Sequence, residues 1–225
     1  PAKFRFYSAR KILEDIIISL QNAGRSTGKE PLWTLRDLVI ATSSETLIQE
    51  ILLWHDTPQL ILEKIFGRER QQTSSVMLTL NAYMEDFQLV ANRWHEAKQR
   101  GRVISLKRWA LEGARSVLVL PNTMDNVSAY EPLNRSLFKA LTNLWLKEEN
   151  SKYLDENGNL CTRRRYVFMD EFGQVGRLSE LGRLMGEGRS FGVNVVLGLH
   201  QLSQIRETYG ENVSETIIGL VSHHA

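Results

Sequence analysis

The sequence predicts an α/β protein in which a partial parallel sheet follows an all-α region. Residues 1–100 show only the periodicity of helices, and residues 101–225 alternate short apolar runs with helical patterns. One apolar run, Tyr166–Met169, ends in two adjacent carboxylates. Alternating strands and helices are typical of parallel sheets with right-handed crossovers. We therefore expect a helical domain over 1–100, including a leading helix, and a sheet-containing domain over 101–225.

Composition and charge are those of an ordinary globular protein. The chain has 225 residues, of which 42% are hydrophobic and 24% charged, and its formal net charge is +2. So small a net charge does not indicate nucleic acid unless basic residues cluster after folding. The single cysteine, Cys161, excludes an internal disulfide framework and is typical of a reducing compartment. No apolar run approaches the ~20 residues that a membrane span requires.

Helical stripes recur through the first hundred residues. The longest predicts one face of a helix about five turns long. It consists of Val76, Leu80, Tyr83, Met84, Phe87, Val90, Ala91 and Trp94. Thr34 and Asp37 have the spacing of a capping box, which predicts a helix start. The stretch Gly24–Glu30 imitates a phosphate-binding loop, but its glycines are one residue too close and no strand precedes it, so we interpret it as an inter-helix loop.

Three apolar runs predict the strands of the sheet: Val117–Leu120, Tyr166–Met169 and Val193–Leu199. Short continuous apolar runs are typical of strands buried on both faces. A helix is predicted near Leu178–Gly186, and the polar stretch Glu148–Asn159 is predicted to be a loop.

The acids after the second strand are the first candidate site. Ligands of parallel α/β sheets bind beyond the carboxyl ends of the strands. A magnesium ion on nucleotide phosphates would be a ligand of the right charge for Asp170 and Glu171. Asp170 would hold Mg²⁺ mostly through water, and Glu171 would polarise the water that attacks the γ-phosphate. The alternative is that the two acids merely begin a solvated loop.

Two further residues are candidates for the same chemistry. Gln201 follows the third strand, and neighbouring parallel strands end side by side, so its amide is expected near the acids, the γ-phosphate and the attacking water. Arg189 would neutralise the charge that develops in phosphoryl transfer, often on a neighbouring subunit. The alternatives are a glutamine that caps the next helix and a surface arginine. Arg163–Arg165 is interpreted as a solvated strand entry at the opposite edge, with a DNA-facing patch as the alternative.

From Arg164 to Gly219 the sequence resembles the coupling proteins of bacterial conjugation and type IV secretion, the TraG/TraD/TrwB-like family. These belong to the FtsK/HerA-like branch of RecA-fold ATPases. The resemblance lies in DEFG after a strand, a glycine-interrupted helix, GRSFGV before the next strand, and Gln201–Ile205 followed by Tyr209-Gly210. A looser match covers the rest, because the family inserts an all-helical domain before its Walker B half. The implied fold is a partial RecA-like P-loop NTPase parallel sheet preceded by an all-α domain.

The resemblance also implies roles and partners. Asp170 and Glu171 would be the Walker B pair, Gln201 the sensor and Arg189 a candidate arginine finger, with ATP and Mg²⁺ as cofactors. The implied activity is hexameric, ATP-driven translocation of single-stranded DNA, a relaxase–DNA complex or protein. Relaxosome accessory or type IV secretion proteins would be partners, and the chain would be the cytoplasmic portion of an inner-membrane protein.

The chain contains no G-x-x-x-x-G-K-[ST] pattern. Because it also begins at Pro1 without an anchor sequence, we expect it to be a piece of a longer protein that does not hydrolyse ATP efficiently alone. Two other functions stay open on the sequence: a different RecA-like motor for DNA packaging or repair, and a non-enzymatic module that docks cargo or accessory proteins.

Overall fold

The computed structural model describes residues 2–26, 33–54, 66–67, 70–112, 116–121 and 127–222. The contacts within the chain divide it into two compact units, 1–103 and 104–225. Each unit has its own hydrophobic core. The predicted fold class, a partial parallel α/β sheet preceded by an all-α region, is confirmed.

The described residues of the first unit form helices only: α1 (Ala2–Ser26), α2 (Leu35–Ala41), α3 (Glu45–Leu52) and α4 (Arg70–Gln99). Apolar side chains recur at helical spacing, so each helix presents a stripe that can be removed from water. The buried members of this core are Ala9, Ile12, Ile16, Leu38, Ala41, Ile48, Ile51, Leu52, Val76, Leu80 and Met84.

The predicted capping box opens α2. The Thr34 hydroxyl accepts a hydrogen bond from the backbone N–H of Asp37 (3.4 Å), and the Asp37 carboxylate accepts one from the backbone N–H of Thr34 (2.6 Å). The pair satisfies backbone donors that the first helical turn leaves without a partner. The sequence prediction for this helix start is confirmed.

Helix α4 is longer than its apolar stripe predicts. Tyr83 and Trp94, both counted in that stripe, are 45% and 46% exposed, so the predicted helix is present but its apolar face is only partly buried. Large aromatic side chains can cover a helix surface at the border of a core without entering it. Despite the lengths of α1 and α4, none of the described helices is long and apolar enough to cross a membrane.

Two predictions fall partly outside the described residues. Helix α1 continues through Ser26, so the first residues of the predicted loop Gly24–Glu30 are helical, and 27–32 are not described. Another predicted helical stripe consists of Ile61, Leu62, Ile65 and Phe66. Only Phe66 of these is described, and it packs against the core of the first unit.

The second unit combines helices with short strands. In chain order these are α5 (Leu106–Glu112), α6 (Val127–Trp145), α7 (Glu148–Ser151), β1 (Lys152–Leu154), β2 (Leu160–Thr162), β3 (Arg165–Met169), α8 (Leu181–Glu187), β4 (Val193–Leu197), α9 (Ser203–Tyr209) and α10 (Glu211–Gly219). Two 3-10 turns, Phe172–Gln174 and Gly188–Phe191, precede α8 and β4 respectively. The buried core of this unit includes Phe138, Leu141, Trp145, Met169, Phe172, Leu178, Leu181, Leu184, Val193, Ile205, Tyr209 and Ile217.

Strands β3 and β4 pair in parallel, in a register that aligns Met169 with Leu197. The prediction that β3 is buried on both faces is wrong, because Tyr166 and Phe168 are 57% and 72% exposed. The core packs against the opposite face, which carries Val167 and Met169. Alternate residues of a strand point to opposite faces, so one-sided packing divides the apolar run into a buried and an exposed half.

The predicted strand Val117–Leu120 is not a strand in the structure. Val117 and Val119 are 87% and 73% exposed, whereas Leu118 packs against the core. A strand requires a neighbour whose backbone groups complete the ladder, and none of the described residues pairs with this segment in a sheet. Apolar composition alone was therefore insufficient evidence for a strand here.

A β-hairpin occupies part of the stretch predicted as a polar loop. Strands β1 and β2 pair antiparallel. The backbone N–H of Asp155 donates to the carbonyl of Asn159 (2.9 Å), and Gly158 closes the turn with φ 81°. The Asp155 carboxylate accepts hydrogen bonds from Asn159, which lower the pKa of Asp155. The turn residues were visible in the sequence, but strands of three residues are too short for their apolar members, Tyr153, Leu154 and Leu160, to show a recognisable alternation.

Candidate functional site

The carboxyl ends of β3 and β4 lie together at one edge of the sheet, here called the carboxyl edge (residues 170–173 and 198–201). The backbone N–H of Gly198 donates to the carbonyl of Met169 (2.8 Å), and the backbone N–H of Phe172 donates to the carbonyl of Gly198 (2.8 Å). These bonds extend the ladder past both strands. The structure thereby places the predicted acids beside the segment that leads to the predicted glutamine.

The backbone at the acid pair is unusual. Glu171 has φ 48° and ψ 50°, and it is the non-glycine residue with positive φ among the described residues. A left-handed conformation is disfavoured for residues with a Cβ atom, and such residues concentrate at functional sites. The Asp170 carboxylate accepts a hydrogen bond from the backbone N–H of Glu171 (3.1 Å). Both carboxylates are exposed at the carboxyl edge.

The loop after β4 contacts Glu171 through a histidine. The Nε2 atom of His200 lies 4.0 Å from Oε1 of Glu171, and the two atoms carry opposite charges only when the imidazole is protonated. The amide oxygen of Gln201 accepts a hydrogen bond from the Ser203 hydroxyl (3.3 Å). Gln201 thus lies at the predicted edge, but its hydrogen bonds are made within its own loop.

Helix α9 anchors the turn that follows the acids. The ring of Phe172, which is 2% exposed, stacks on the ring of Tyr209 at 5.8 Å between centroids. The Tyr209 hydroxyl accepts a hydrogen bond from the buried backbone N–H of Leu178 (2.9 Å), and burial raises the pKa of Tyr209. A Cβ atom at Gly173 would lie 2.9 Å from Cδ of Gln204, so the turn and the start of α9 are in close contact.

Arg189 lies at the opposite edge of the sheet. This amino edge (residues 163–165 and 188–192) contains the entry to β3 and the 3-10 turn before β4. Strand β4 has five residues, which corresponds to about 15 Å. Arg189 and the acid pair therefore flank opposite ends of the same strands. The structure does not bring Arg189 to Asp170 or Glu171 within one chain.

The carboxyl edge fits a hydrated divalent cation better than a protein-coordinated one. The described residues contain no group of three or more His, Cys, Asp or Glu side chains that could hold a metal ion. Asp170 is exposed, and its hydrogen bond from Glu171 involves only Oδ1. Mg²⁺ commonly binds one or two carboxylates while it keeps several waters. Asp170 is compatible with that mode of binding.

Comparison with protein families identifies the chain. The model of the family described as type IV secretion-system coupling protein DNA-binding domain matches residues 2–224. The chain belongs to this family. The resemblance predicted from the DEFG and GRSFGV motifs is thereby confirmed.

Solved structures of TrwB have a similar fold to this coupling-protein chain. The bacterial conjugative coupling protein TrwB, in a trigonal form with sulphate, matches with a TM-score of 0.61 and 19% identity. The plasmid coupling protein TrwB in complex with the ATP analogue ADPNP matches with a TM-score of 0.54 and 18% identity. Each match covers 95% of this chain and 46% of the TrwB chain, so this chain spans less than half the length of that relative. A search of curated proteins by sequence finds no match.

Sequence reasoning missed three residues that build the site. His200 precedes the predicted glutamine, and its position at the strand end was a usable signal. Gln204 and Tyr209 belong to the motif that carries the resemblance, but nothing in their spacing indicates that they pack on the turn after the acids. These contacts depend on how α9 returns to the sheet.

Proposed function

We propose that this coupling-protein chain supplies the Walker B half of an ATP-driven motor that moves DNA through a type IV secretion system. The observation that carries the proposal is the parallel register of β3 and β4, which places Asp170, Glu171 and the His200-Gln201 segment at one edge. That edge is where ligands of parallel α/β sheets bind. Complexes of TrwB with ADPNP, and with ADP and Mg²⁺, support ATP and Mg²⁺ as the ligands.

Three residues of the carboxyl edge, Asp170, Glu171 and Gln201, have a part in the proposed reaction. Asp170 would hold a hydrated Mg²⁺ ion through water. Bound Mg²⁺ would neutralise charge on the β- and γ-phosphates. Glu171 accepts a proton from the attacking water, and the Gln201 amide orients that water against the γ-phosphate. The left-handed backbone of Glu171 turns the chain immediately after β3 and presents both carboxylates at the edge.

Arg189 acts on a neighbouring subunit in this proposal. Because it lies at the edge opposite to Asp170 and Glu171, it serves a nucleotide bound by another copy, as an arginine finger supplied in trans. This requires a ring in which the amino edge of one copy faces the carboxyl edge of the next, and we propose a hexamer. The phosphate-binding loop must come from outside these 225 residues, since none of them has that pattern.

The family description supports DNA as cargo. Single-stranded DNA, or DNA joined to a relaxase, is the proposed form of that cargo. Relaxosome accessory proteins and type IV secretion proteins are the proposed partners, and the cytoplasmic side of the inner membrane is the proposed location. Family membership favours this function over a packaging or repair motor.

The experiment is Glu171→Gln in the full-length protein. The amide cannot accept the proton, so we expect the kcat of ATP hydrolysis to fall by about 10²- to 10⁴-fold. Binding of ATP should be retained, since the substitution keeps the size of the side chain. Turnover is measured by phosphate release, and binding is measured by titration with a fluorescent ATP analogue.

Glu207→Gln is the matched control, because Glu207 is an exposed residue that lies in α9 and not in the carboxyl edge. It should hydrolyse ATP at the rate of the unmodified protein. Unchanged hydrolysis by Glu171→Gln, or an equal loss in both variants, would refute the role of Glu171.

A further inference from the structure

The loop that follows β4 lies against the acids at the carboxyl edge. This β4 loop (residues 198–202) begins so close to them that a Cβ atom added at Gly198 would lie 3.3 Å from Oδ1 of Asp170. The backbone N–H of Gly198 donates to the carbonyl of Met169 (2.8 Å), and its carbonyl accepts from the N–H of Phe172 (2.8 Å). The start of the loop is therefore fixed relative to the acid pair.

The far end of the β4 loop is fixed by the start of α9. A Cβ atom at Gly173 would lie 2.9 Å from Cδ of Gln204, so the Gln204 side chain packs on the turn after the acids. In the same helix Tyr209 is 6% exposed, and its ring stacks on Phe172. The loop is thus held at both ends, which restricts the position of any side chain between them.

His200 is the residue of this loop that reaches Glu171. Its Nε2 atom lies 4.0 Å from Oε1 of Glu171, and both side chains are more than half exposed. Among the described residues, no other basic side chain comes within 4.0 Å of that carboxylate. The amide oxygen of Gln201 accepts from the Ser203 hydroxyl (3.3 Å) instead. The imidazole therefore connects the loop to the glutamate.

Glu171 needs such a neighbour in order to act as a base. A general base must lie within hydrogen-bond reach of the proton that it accepts, and a long glutamate side chain loses rotamer freedom when it is held there. The hydrogen bond from the Glu171 N–H to the Asp170 carboxylate (3.1 Å) constrains the backbone of Glu171 but not its carboxylate. In many enzymes a further group orients the base.

We propose that His200 is a positioning residue that orients the Glu171 carboxylate toward the attacking water. The Nε2–H of a neutral imidazole is a donor, and Oε1 of Glu171 accepts its hydrogen bond. The two atoms must approach by about 1 Å to reach hydrogen-bond distance, and catalytic hydrogen bonds commonly tighten in the substrate complex. This inference rests on the proposed function, in which Glu171 is the general base.

The test is hydrolysis of ATP by the full-length protein, measured by phosphate release. His200→Leu keeps a side chain of moderate size and removes the donor. We expect kcat to fall by about 10- to 100-fold, because a displacement of about 1 Å can cost that much in rate. The KM for ATP should stay within about twofold, since the lost interaction acts on the base and not on the bound nucleotide.

His200→Gln separates the donor from the ring that carries it. The side-chain nitrogen of glutamine is as many bonds from Cα as Nε2 of histidine, so its N–H can replace the donor. Here kcat should remain within about threefold of the unmodified value. His95→Leu is the matched control, because His95 lies in α4 of the other unit and contacts Gln99 (3.0 Å) rather than an acid. It should leave kcat unchanged.

A second measurement tests whether His200 acts through Glu171. Single-turnover rates are compared between Glu171→Gln and Glu171→Gln/His200→Leu. Because the carboxylate is absent from both variants, removal of the imidazole should change the residual rate by less than about twofold. A merely structural role of His200 would instead lower the rate by the same factor in both backgrounds.

An unchanged kcat in His200→Leu would overturn the inference, as would a loss no larger than that of His95→Leu. Equal losses in His200→Leu and His200→Gln would contradict the donor role. A full additional loss in the Glu171→Gln background would contradict an action through Glu171. The proposed function fails separately, since unchanged hydrolysis in Glu171→Gln refutes it. A strong effect of Glu171→Gln without an effect of His200→Leu refutes only the positioning role.

Discussion

The two edges of the β3–β4 sheet differ in charge and in packing. The carboxyl edge carries exposed acids on a turn with a left-handed residue, Glu171. The amino edge carries arginines, and there the chain passes so close to itself that a Cβ atom at Gly192 would overlap the backbone carbonyl of Arg163. In a parallel sheet the amino ends of the strands lie at one edge and the carboxyl ends at the other, so one short sheet can present two separate surfaces. The comparison shows that strand direction, rather than distance along the chain, assigns residues to a surface.

The largest loss in the free energy of unfolding is expected when a side chain is added at the closely packed amino edge. Gly192 has φ 75°, and a Cβ atom there would overlap the Arg163 carbonyl. Since the obstacle is backbone, we expect Gly192→Ala to lower the free energy of unfolding by about 3 kcal/mol or more. Urea denaturation followed by circular dichroism measures the loss.

Gly182→Ala is the matched control for this substitution. Gly182 lies in α8, and an added Cβ atom meets no atom within 4 Å. Alanine should stabilise the helix by about 0.5–1 kcal/mol. Equal effects of the two substitutions would show that the amino edge is not sterically closed.

An intermediate loss in the free energy of unfolding is expected when the contact between α9 and the turn after the acids is weakened. Tyr209→Phe removes the acceptor of the buried Leu178 N–H, and an unsatisfied buried donor costs about 1–3 kcal/mol. The free energy of unfolding should fall by that amount. Tyr166→Phe, at an exposed tyrosine of β3, should change it by less than about 0.5 kcal/mol. Similar values for both variants would mean that α9 does not hold the acid turn.

The smallest change in the free energy of unfolding is expected at Glu171, the residue with the left-handed backbone conformation. Glycine adopts that conformation without the Cβ penalty, which offsets its larger loss of entropy on folding. Glu171→Gly should therefore change the free energy of unfolding by less than about 0.5 kcal/mol. Glu207→Gly in α9 should cost about 1 kcal/mol. Should Glu171→Gly prove as costly as Glu207→Gly in urea denaturation, the backbone at the acid pair would not be strained.

Much of the fold could be predicted where the signal was local. The Thr34–Asp37 cap, the helical stripes and the two paired strands follow from spacing and apolar character. The errors share one cause: burial depends on what packs against a residue. Val117 and Phe168 are apolar, yet both side chains are exposed. The apolar character of a residue does not determine whether a neighbouring element covers its side chain.

The candidate site was predictable to a similar degree. Acids after one apolar run, and a glutamine after the next, indicated that these side chains lie at one edge of a parallel sheet. The proximity of His200 to Glu171 and the packing of Gln204 on Gly173 were not predictable. Both depend on the path of the chain between β4 and α9, which no short sequence pattern encodes.

The sequence by itself determined the class of fold, the family and the residue types at each strand end, since these depend on local periodicity and on ordered motifs. Only the tertiary structure decided that Arg189 lies at the edge opposite to Asp170 and Glu171, in a turn that contacts the entry to β3. The physical reason is that electrostatic and packing energies depend on distances in space. Those distances are set by strand direction and register, which bring together segments far apart in the chain.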